Sequence, residues 1–246
     1  MKCAHLRFYG ELADFVSPAR GGRGYSVQFP ELRSVKDLVE SEGVPHPEVG
    51  LLLVDGASVD FDCLVGDGER VAVYPHFSQI PGNAASAIRR PKLERIAFVA
   101  DVHLGKLVRR LRLLGYDCWY GPDFDDAVLA EQSATENRVL LTRDRGLLMR
   151  AAVQHGIFVR SDAASEQLRQ VVWRMGLANQ PPRSPLCLKC NAALESVSRE
   201  EVRDSIPAYT YRNMGPFLRC TRCRAVYWKG THWPKLRRFI DDAGLD

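Results

Sequence analysis

Polar and apolar residues alternate at the start of the chain and later cluster at helical spacing. Ala4, Leu6 and Phe8 fall on one side of residues 2–9, and His5, Arg7 and Tyr9 fall on the other. That two-residue period predicts a half-buried strand. Residues 25–29 alternate again after a turn at Gly21, Gly22 and Gly24. Ser34 stands before Val35-Lys-Asp-Leu-Val-Glu, with Asp37 three residues on, which predicts an N-cap and a short helix. Apolar runs at 51–54 and 71–74 follow, with turns at Asp55-Gly56 and Asp67-Gly68. The predicted order is strand, strand, helix, strand, strand.

From residue 96 the pattern changes. A short apolar run, 96–99, leads into Ala100-Asp101. Leu104, Leu107, Val108, Leu111 and Leu114 then recur at helical spacing, with Lys106, Arg109, Arg110 and Arg112 expected off that face and Gly115 as the stop. A second strand is expected at 116–120, and a helix from about 122 to 136 with Asp125 or Asp126 near its start. A third strand is expected at 139–141, a helix at 147–153 and a fourth strand at 157–160. Strands alternating with helices predict an α/β domain with a parallel sheet. In such sheets functional groups collect at the carboxyl ends of the strands. Asp101, Asp144 and Asp162 follow three of those ends, and Asp125 and Asp126 open the intervening helix. Carboxylates gathered on one edge repel unless a cation lies among them. Oxygen donors suit Mg²⁺ or Mn²⁺, which can activate water and stabilise the leaving oxygen of a phosphodiester. Taken singly, each aspartate reads more readily as a cap or turn residue, and it is three or four at equivalent ends of one sheet that point to a site.

Two stretches carry resemblances to known families. "LRFYGELADF", "VKDLVESEGVPHPEVGLLLVDG" and "GDGERVAVYP" resemble the ubiquitin-like β-grasp domains of the ThiS/MoaD kind. Sulfur carriers of that kind end in a free Gly-Gly. Here the segment ends Tyr74-Pro75-His76-Phe77 and the chain continues, so protein binding or packing is expected rather than carrier chemistry. "FVADVHLGKLVRRLRLLGYDCWY" and "DDAVLAEQSATENRVLLTRDRGLL" resemble the Mut-seven C-terminal RNase domain, a PIN-like nuclease family whose members often carry an N-terminal ubiquitin-like domain. His103 departs from that pattern, which would place an apolar residue there. The resemblance implies metal-dependent cleavage of RNA, with tRNA, mRNA and rRNA precursors all open as substrates. It implies Asp101, Asp126 and Asp144 as metal ligands, Asp125 as the substitute if the helix phase differs, and Asp162 as a fourth carboxylate. Lys106, Arg109, Arg110, Arg143 and Arg145 become candidates for phosphate contacts. The competing reading is a non-catalytic RNA-binding adaptor, against which the intact aspartates argue.

Charge and cysteine content sharpen this. Residues 1–80 hold 7 Lys/Arg against 12 Asp/Glu, residues 81–179 hold 15 against 11, and residues 180–246 hold 12 against 7. An acidic N-terminal part is thus joined to two basic ones, which suggests an anionic partner such as nucleic acid. Cys3, Cys63 and Cys118 are scattered and are expected to be small buried hydrophobes. Cys187-Leu-Lys-Cys190 and Cys220-Thr-Arg-Cys223 are two C-x-x-C knuckles 29 residues apart, a ligand set for structural Zn²⁺. After them, Tyr227, Trp228 and Trp233 are interleaved with basic residues, and Trp233 is a candidate RNA contact, while His232 is a spare ligand that four cysteines make unnecessary. Residues 236–240 read as a short helix. No apolar run approaches the roughly 20 residues that span a bilayer. A cytoplasmic protein without membrane partners is expected. The expected domains are a β-grasp domain at 1–80, a linker at 81–95, a PIN-like domain at 96–179, and a zinc ribbon with its tail at 180–246.

Overall fold

The computed structural model describes residues 1–20, 22–76, 86–181 and 183–228. Trp233, His232 and the expected helix at 236–240 lie outside them. Space groups the chain differently from sequence order, because two compact units form: Met1–Glu94 with Asp125–Val159, and Arg95–Phe124 with Arg160–Asp246. Among the described residues no helix is long and apolar enough to cross a membrane.

In the first unit, strands β1 (Lys2–Phe8) and β2 (Tyr25–Phe29) pair antiparallel, a short β3 (Arg33–Ser34) follows, and helix α1 (Val35–Ser41) begins. Ser34 caps that helix by accepting the amide of Asp37 at 3.1 Å, which satisfies one of the amides the first turn leaves unpaired. Strands β4 (Val49–Val54), β5 (Ala57–Ser58), β6 (Leu64–Val65) and β7 (Arg70–Pro75) complete the segment. The five-stranded sheet runs β2-β1-β7-β4-β5, with β1 and β7 parallel at its centre and the other pairs antiparallel. Ala4, Leu6 and Phe8 are buried and meet Leu38 and Val39 of α1 in one core, as the alternation of β1 requires.

Four short strands carry the α/β part, all paired in parallel. In the second unit β8 (Phe98–Ala100) pairs with β9 (Cys118–Trp119), and between them lie a 3₁₀ turn (Val102–Leu104) and helix α2 (Gly105–Leu113). In the first unit, helix α3 (Asp126–Thr135), β10 (Val139–Thr142), helix α4 (Arg145–Leu148) and β11 (Gly156–Phe158) follow one another, and β10 pairs with β11. The predicted helix at 147–153 is therefore one turn that starts earlier, because Asp144 caps it at the end of β10. Gly115 stops α2 at φ +80°, and a Cβ there would stand 2.4 Å from the Cβ of Arg183.

The β-grasp segment and residues 125–159 share their packing. Phe158 of β11 packs against the N-terminal core and meets Phe15 edge-on at 5.2 Å. Its amide donates to buried Glu48 at 2.7 Å, and His46 bonds the carbonyl of Val153 at 2.7 Å. Arg145 stacks its guanidinium over Phe15 and Phe158, at 4.9 and 5.6 Å from the ring centres, and donates to the carbonyl of Phe15 at 2.9 Å. The expected phosphate contact is thus an anchor for the N-terminal segment here.

The second unit continues with helix α5 (Ala164–Met175), absent from the sequence reading although Leu168, Val171 and Val172 are buried along it. Strand β12 (Leu194–Val197), helix α6 (Ala208–Asn213), β13 (Phe217–Cys220) and β14 (Val226–Trp228) close the description. The sheet β12-β13-β14 is antiparallel.

Replacing Arg145 removes a charged hydrogen bond and two cation–π contacts. Arg145→Ala should lower unfolding stability by about 1–2 kcal/mol in denaturant titrations. Arg145→Lys should recover little of it, since an ammonium cannot stack as the planar guanidinium does.

Candidate functional site

The five aspartates sit where the strand pattern expects them, at strand ends and helix starts. In the first unit, Asp125 is the N-cap of α3, and its Oδ1 accepts the amide of Val128 at 2.9 Å. Asp126 is the first helical residue, exposed, with Arg150 at 3.8 Å. Asp125 thus spends an oxygen on the helix start, and Asp126 does not. Asp144 is the N-cap of α4. Its Oδ1 accepts the amides of Gly146 at 2.7 Å and Leu147 at 3.2 Å, while Oδ2 bonds none of the described residues. Its own amide donates to the hydroxyl of buried Thr142 at 3.0 Å, so both sides of the turn are fixed. In the second unit, Asp101 ends β8 half-buried and precedes the 3₁₀ turn, and Asp162 is exposed ahead of α5. Asp125, Asp126 and Asp144 do not draw their oxygens together as a metal-holding group does.

The basic candidates divide by burial. Lys106 and Arg109 are exposed on α2, His103 is exposed in the turn before it, and Arg143 is exposed beside Asp144. Arg110 is half-buried, and desolvation lowers the pKa of its guanidinium. Arg112, expected off the apolar face, is 3% exposed. It stands one and two helical turns beyond Val108 and Leu104, and so shares their buried side. Its Nε and Nη2 donate to the carbonyl of Cys118 at 3.1 and 2.8 Å, and its Nη1 donates to those of Leu188 and Lys189 at 3.1 Å each. One side chain thereby joins α2, β9 and the first knuckle. The spacing 104, 108, 112 was the available signal for it.

The four paired cysteines do converge. The sulfurs of Cys187, Cys190, Cys220 and Cys223 lie within 4.8 Å of one another, with Cys187 3.5 Å from Cys223 and Cys190 3.4 Å from Cys220. Disulfide sulfurs would be about 2.05 Å apart. A regular tetrahedron with Zn–S bonds of 2.3 Å has edges of about 3.8 Å. The cluster therefore fits a tetrahedral metal such as zinc. Amides of Cys190, Arg222 and Cys223 point at sulfurs, as suits thiolates. Burial opposes ionisation of Cys187, yet hydrogen bonds from Tyr227 and from the amides of Cys190 and Lys189 outweigh it and hold that thiol at about 6. Cys223 receives an amide bond that favours its thiolate, but burial and the neighbouring sulfurs push it up to about 12. Four sulfurs this close share charge poorly until a dication sits among them. Of the other cysteines, Cys118 is buried as expected, whereas Cys3 and Cys63 are only half-buried.

A model of the Mut7-C RNase domain matches residues 96–240. The chain belongs to the Mut7-C RNase family. A model of the Mut7-C ubiquitin domain matches residues 1–81, which agrees with the β-grasp sheet described above. No curated protein and no solved structure matches the chain. Membership in the Mut7-C RNase family points to nuclease chemistry, and the ubiquitin-like domain points to protein interaction.

Arg112→Met keeps most of the side-chain volume but leaves three carbonyls without their donor. It should cost roughly 2–4 kcal/mol and weaken metal retention by the first knuckle. Thermal melts with metal analysis of the same samples would check both. A variant that melts like wild type would show the carbonyls are satisfied without Arg112.

Proposed function

We propose that this Mut7-C protein is a metal-dependent ribonuclease in which Asp101, Asp126 and Asp144 hold Mg²⁺ or Mn²⁺ and structural Zn²⁺ organises the four cysteines. The observation that carries the reading is the split use of the Asp144 carboxylate. One oxygen is fixed by two amides, and the other bonds none of the described residues. A ligand built that way needs little reordering when it meets a cation or substrate. Mg²⁺ is commonly bound by only one or two carboxylates together with substrate phosphates, so three converged aspartates are not required beforehand. Oxygen donors of this kind fit the ion.

A bound divalent ion supplies charge neutralisation on the scissile phosphate and activation of a water. The chain's own residues do the rest. Asp144 holds one coordinating oxygen at the end of β10. Asp126 offers a second carboxylate free of capping duty, whereas Asp125 keeps the helix start in place. Asp101 and, more weakly, Asp162 are the further candidate carboxylates. Lys106, Arg109 and Arg143 carry exposed charge for phosphates, with Arg110 contributing less from its half-buried position; each phosphate neutralised makes binding more salt-dependent. Trp233 would add base stacking. The substrate is RNA, with tRNA among the open classes. The ubiquitin-like domain, already packed on residues 125–159 through Arg145 and Phe158, offers its remaining surface to protein partners.

Asp144→Asn keeps an acceptor oxygen for the cap but removes the negative charge. It should retain the fold and the zinc while losing cleavage by at least about a hundredfold. The assay runs wild type and variant side by side with Mn²⁺, with Mg²⁺ and under chelation that spares zinc. Equal cleavage by both proteins would remove Asp144 from the mechanism; RNA binding without cleavage by wild type would favour the adaptor instead. Cys187→Ser with Cys220→Ser should release one zinc per chain, read by elemental analysis, and expose residues 183–228 to proteolysis.

A further inference from the structure

A cavity of about 570 Å³ opens in the second unit, within the 300–1,000 Å³ that ligand pockets span. Helix α2 and the turn between Cys187 and Cys190 wall it. Val108 and Leu188 supply apolar surface, Arg109 and Lys189 supply exposed cations, and Tyr120 and Tyr227 supply aromatic rings. Both phenols are already engaged: Tyr120 donates to the carbonyl of Val102 at 2.9 Å, and the Tyr227 hydroxyl lies 3.2 Å from the sulfur of Cys187. What they leave for a ligand is ring surface. The wall is also built rather than incidental. Buried Arg112 lines it and holds the carbonyls of Leu188 and Lys189, the residues whose side chains face the cavity. Gly105 lines it too, and a Cβ there would stand 2.9 Å from the Tyr120 hydroxyl, so a larger residue would press on that ring. The Tyr120 bond ties the cavity to Val102, the residue after Asp101.

Resting on the ribonuclease reading above, we infer that this cavity is a nucleotide subsite, in which one nucleotide of the RNA seats its base against Tyr120 or Tyr227 and its phosphate against Arg109 and Lys189. The pairing of rings with cations matches the two parts of a nucleotide, a flat π surface and an anion. An acidic peptide would use the cations but not the rings. Lys189 lies inside the first C-x-x-C knuckle, so the cysteine module enters substrate binding directly, through a residue between two of its ligands.

The test uses the full chain with its zinc and carrying Asp144→Asn, so that RNA binds without being cut. Fluorescence anisotropy follows a labelled single-stranded RNA across a salt series. Arg109→Ala with Lys189→Ala should weaken binding about tenfold and flatten the slope of log affinity against log salt by about 1.4, two contacts at roughly 0.7 each. Val108→Trp fills the cavity without altering charge, and should weaken binding with the slope unchanged. Melting temperature and zinc content confirm that each variant is folded. Parent-like affinity and slope in both variants would overturn the subsite, and if the Asp144-intact chain still cleaves RNA in a metal-dependent way, the ribonuclease reading stands without it. No RNA binding by the parent, together with no metal-dependent cleavage by the Asp144-intact chain, would overturn both. A parallel titration with adenosine 5′-monophosphate separates the sources: nucleotide binding lost in Val108→Trp, with RNA affinity intact in every variant, would assign the cavity to a free nucleotide and overturn the RNA subsite.

Discussion

A guanidinium buried against carbonyl oxygens is the constraint on which the second unit depends. Arg112 is 3% exposed, and the hydrogen bonds it makes go to the backbone oxygens of Cys118, Leu188 and Lys189. Burying a charge is costly unless its donors are satisfied, and here the donors meet the backbone oxygens of three residues. Desolvation lowers the pKa of Arg112, while Cys118, Cys187 and Cys190 act to keep it charged. The cation therefore sits close to the sulfur cluster and partly offsets its negative charge. Helix, strand and knuckle are held at one point, and the cavity beside them keeps its shape for that reason.

The first unit uses a different device for a similar purpose. Arg145 follows Asp144 directly, yet its side chain turns to Phe15 and Phe158. Two neighbours in the sequence thus separate their tasks: Asp144 keeps one oxygen uncommitted, and Arg145 fixes the turn to the β-grasp core. The N-terminal domain is consequently part of the packing around Asp144.

Much of this was legible in the sequence. The alternation in 2–9, the Ser34 cap and the helical spacing of Leu104 to Leu111 follow from local periodicity, and the structure places them accordingly. The cysteine pairs were readable because ligand chemistry leaves a fixed spacing. Arg145 was not readable, because Phe15, whose carbonyl and ring it meets, lies 130 residues away in the chain. Arg112 was half-readable: its phase on α2 was visible, but basic character argued for solvent, and only the carbonyls of a distant knuckle explain its burial. The helix at 147–153 was displaced because the capping power of Asp144 outweighed the apolar run that suggested a later start.

That last error bears on the candidate chemistry. An aspartate at the end of a strand can cap a helix, bind a cation, or do both with different oxygens. Asp125 and Asp144 both cap, and each uses Oδ1. Capping by Asp144 takes two amides, which disperses part of its negative charge but also fixes the carboxylate plane. A carboxylate fixed in this way gives up some electrostatic strength toward a metal and gains a defined position for its second oxygen. Asp126, which has no cap to serve, is exposed, and among the described residues it is placed by its position in the helix and by Arg150 at 3.8 Å. On the proposed reading, Asp144 would bring a positioned oxygen and Asp126 an exposed carboxylate to an ion that must admit substrate oxygens and release them after cleavage.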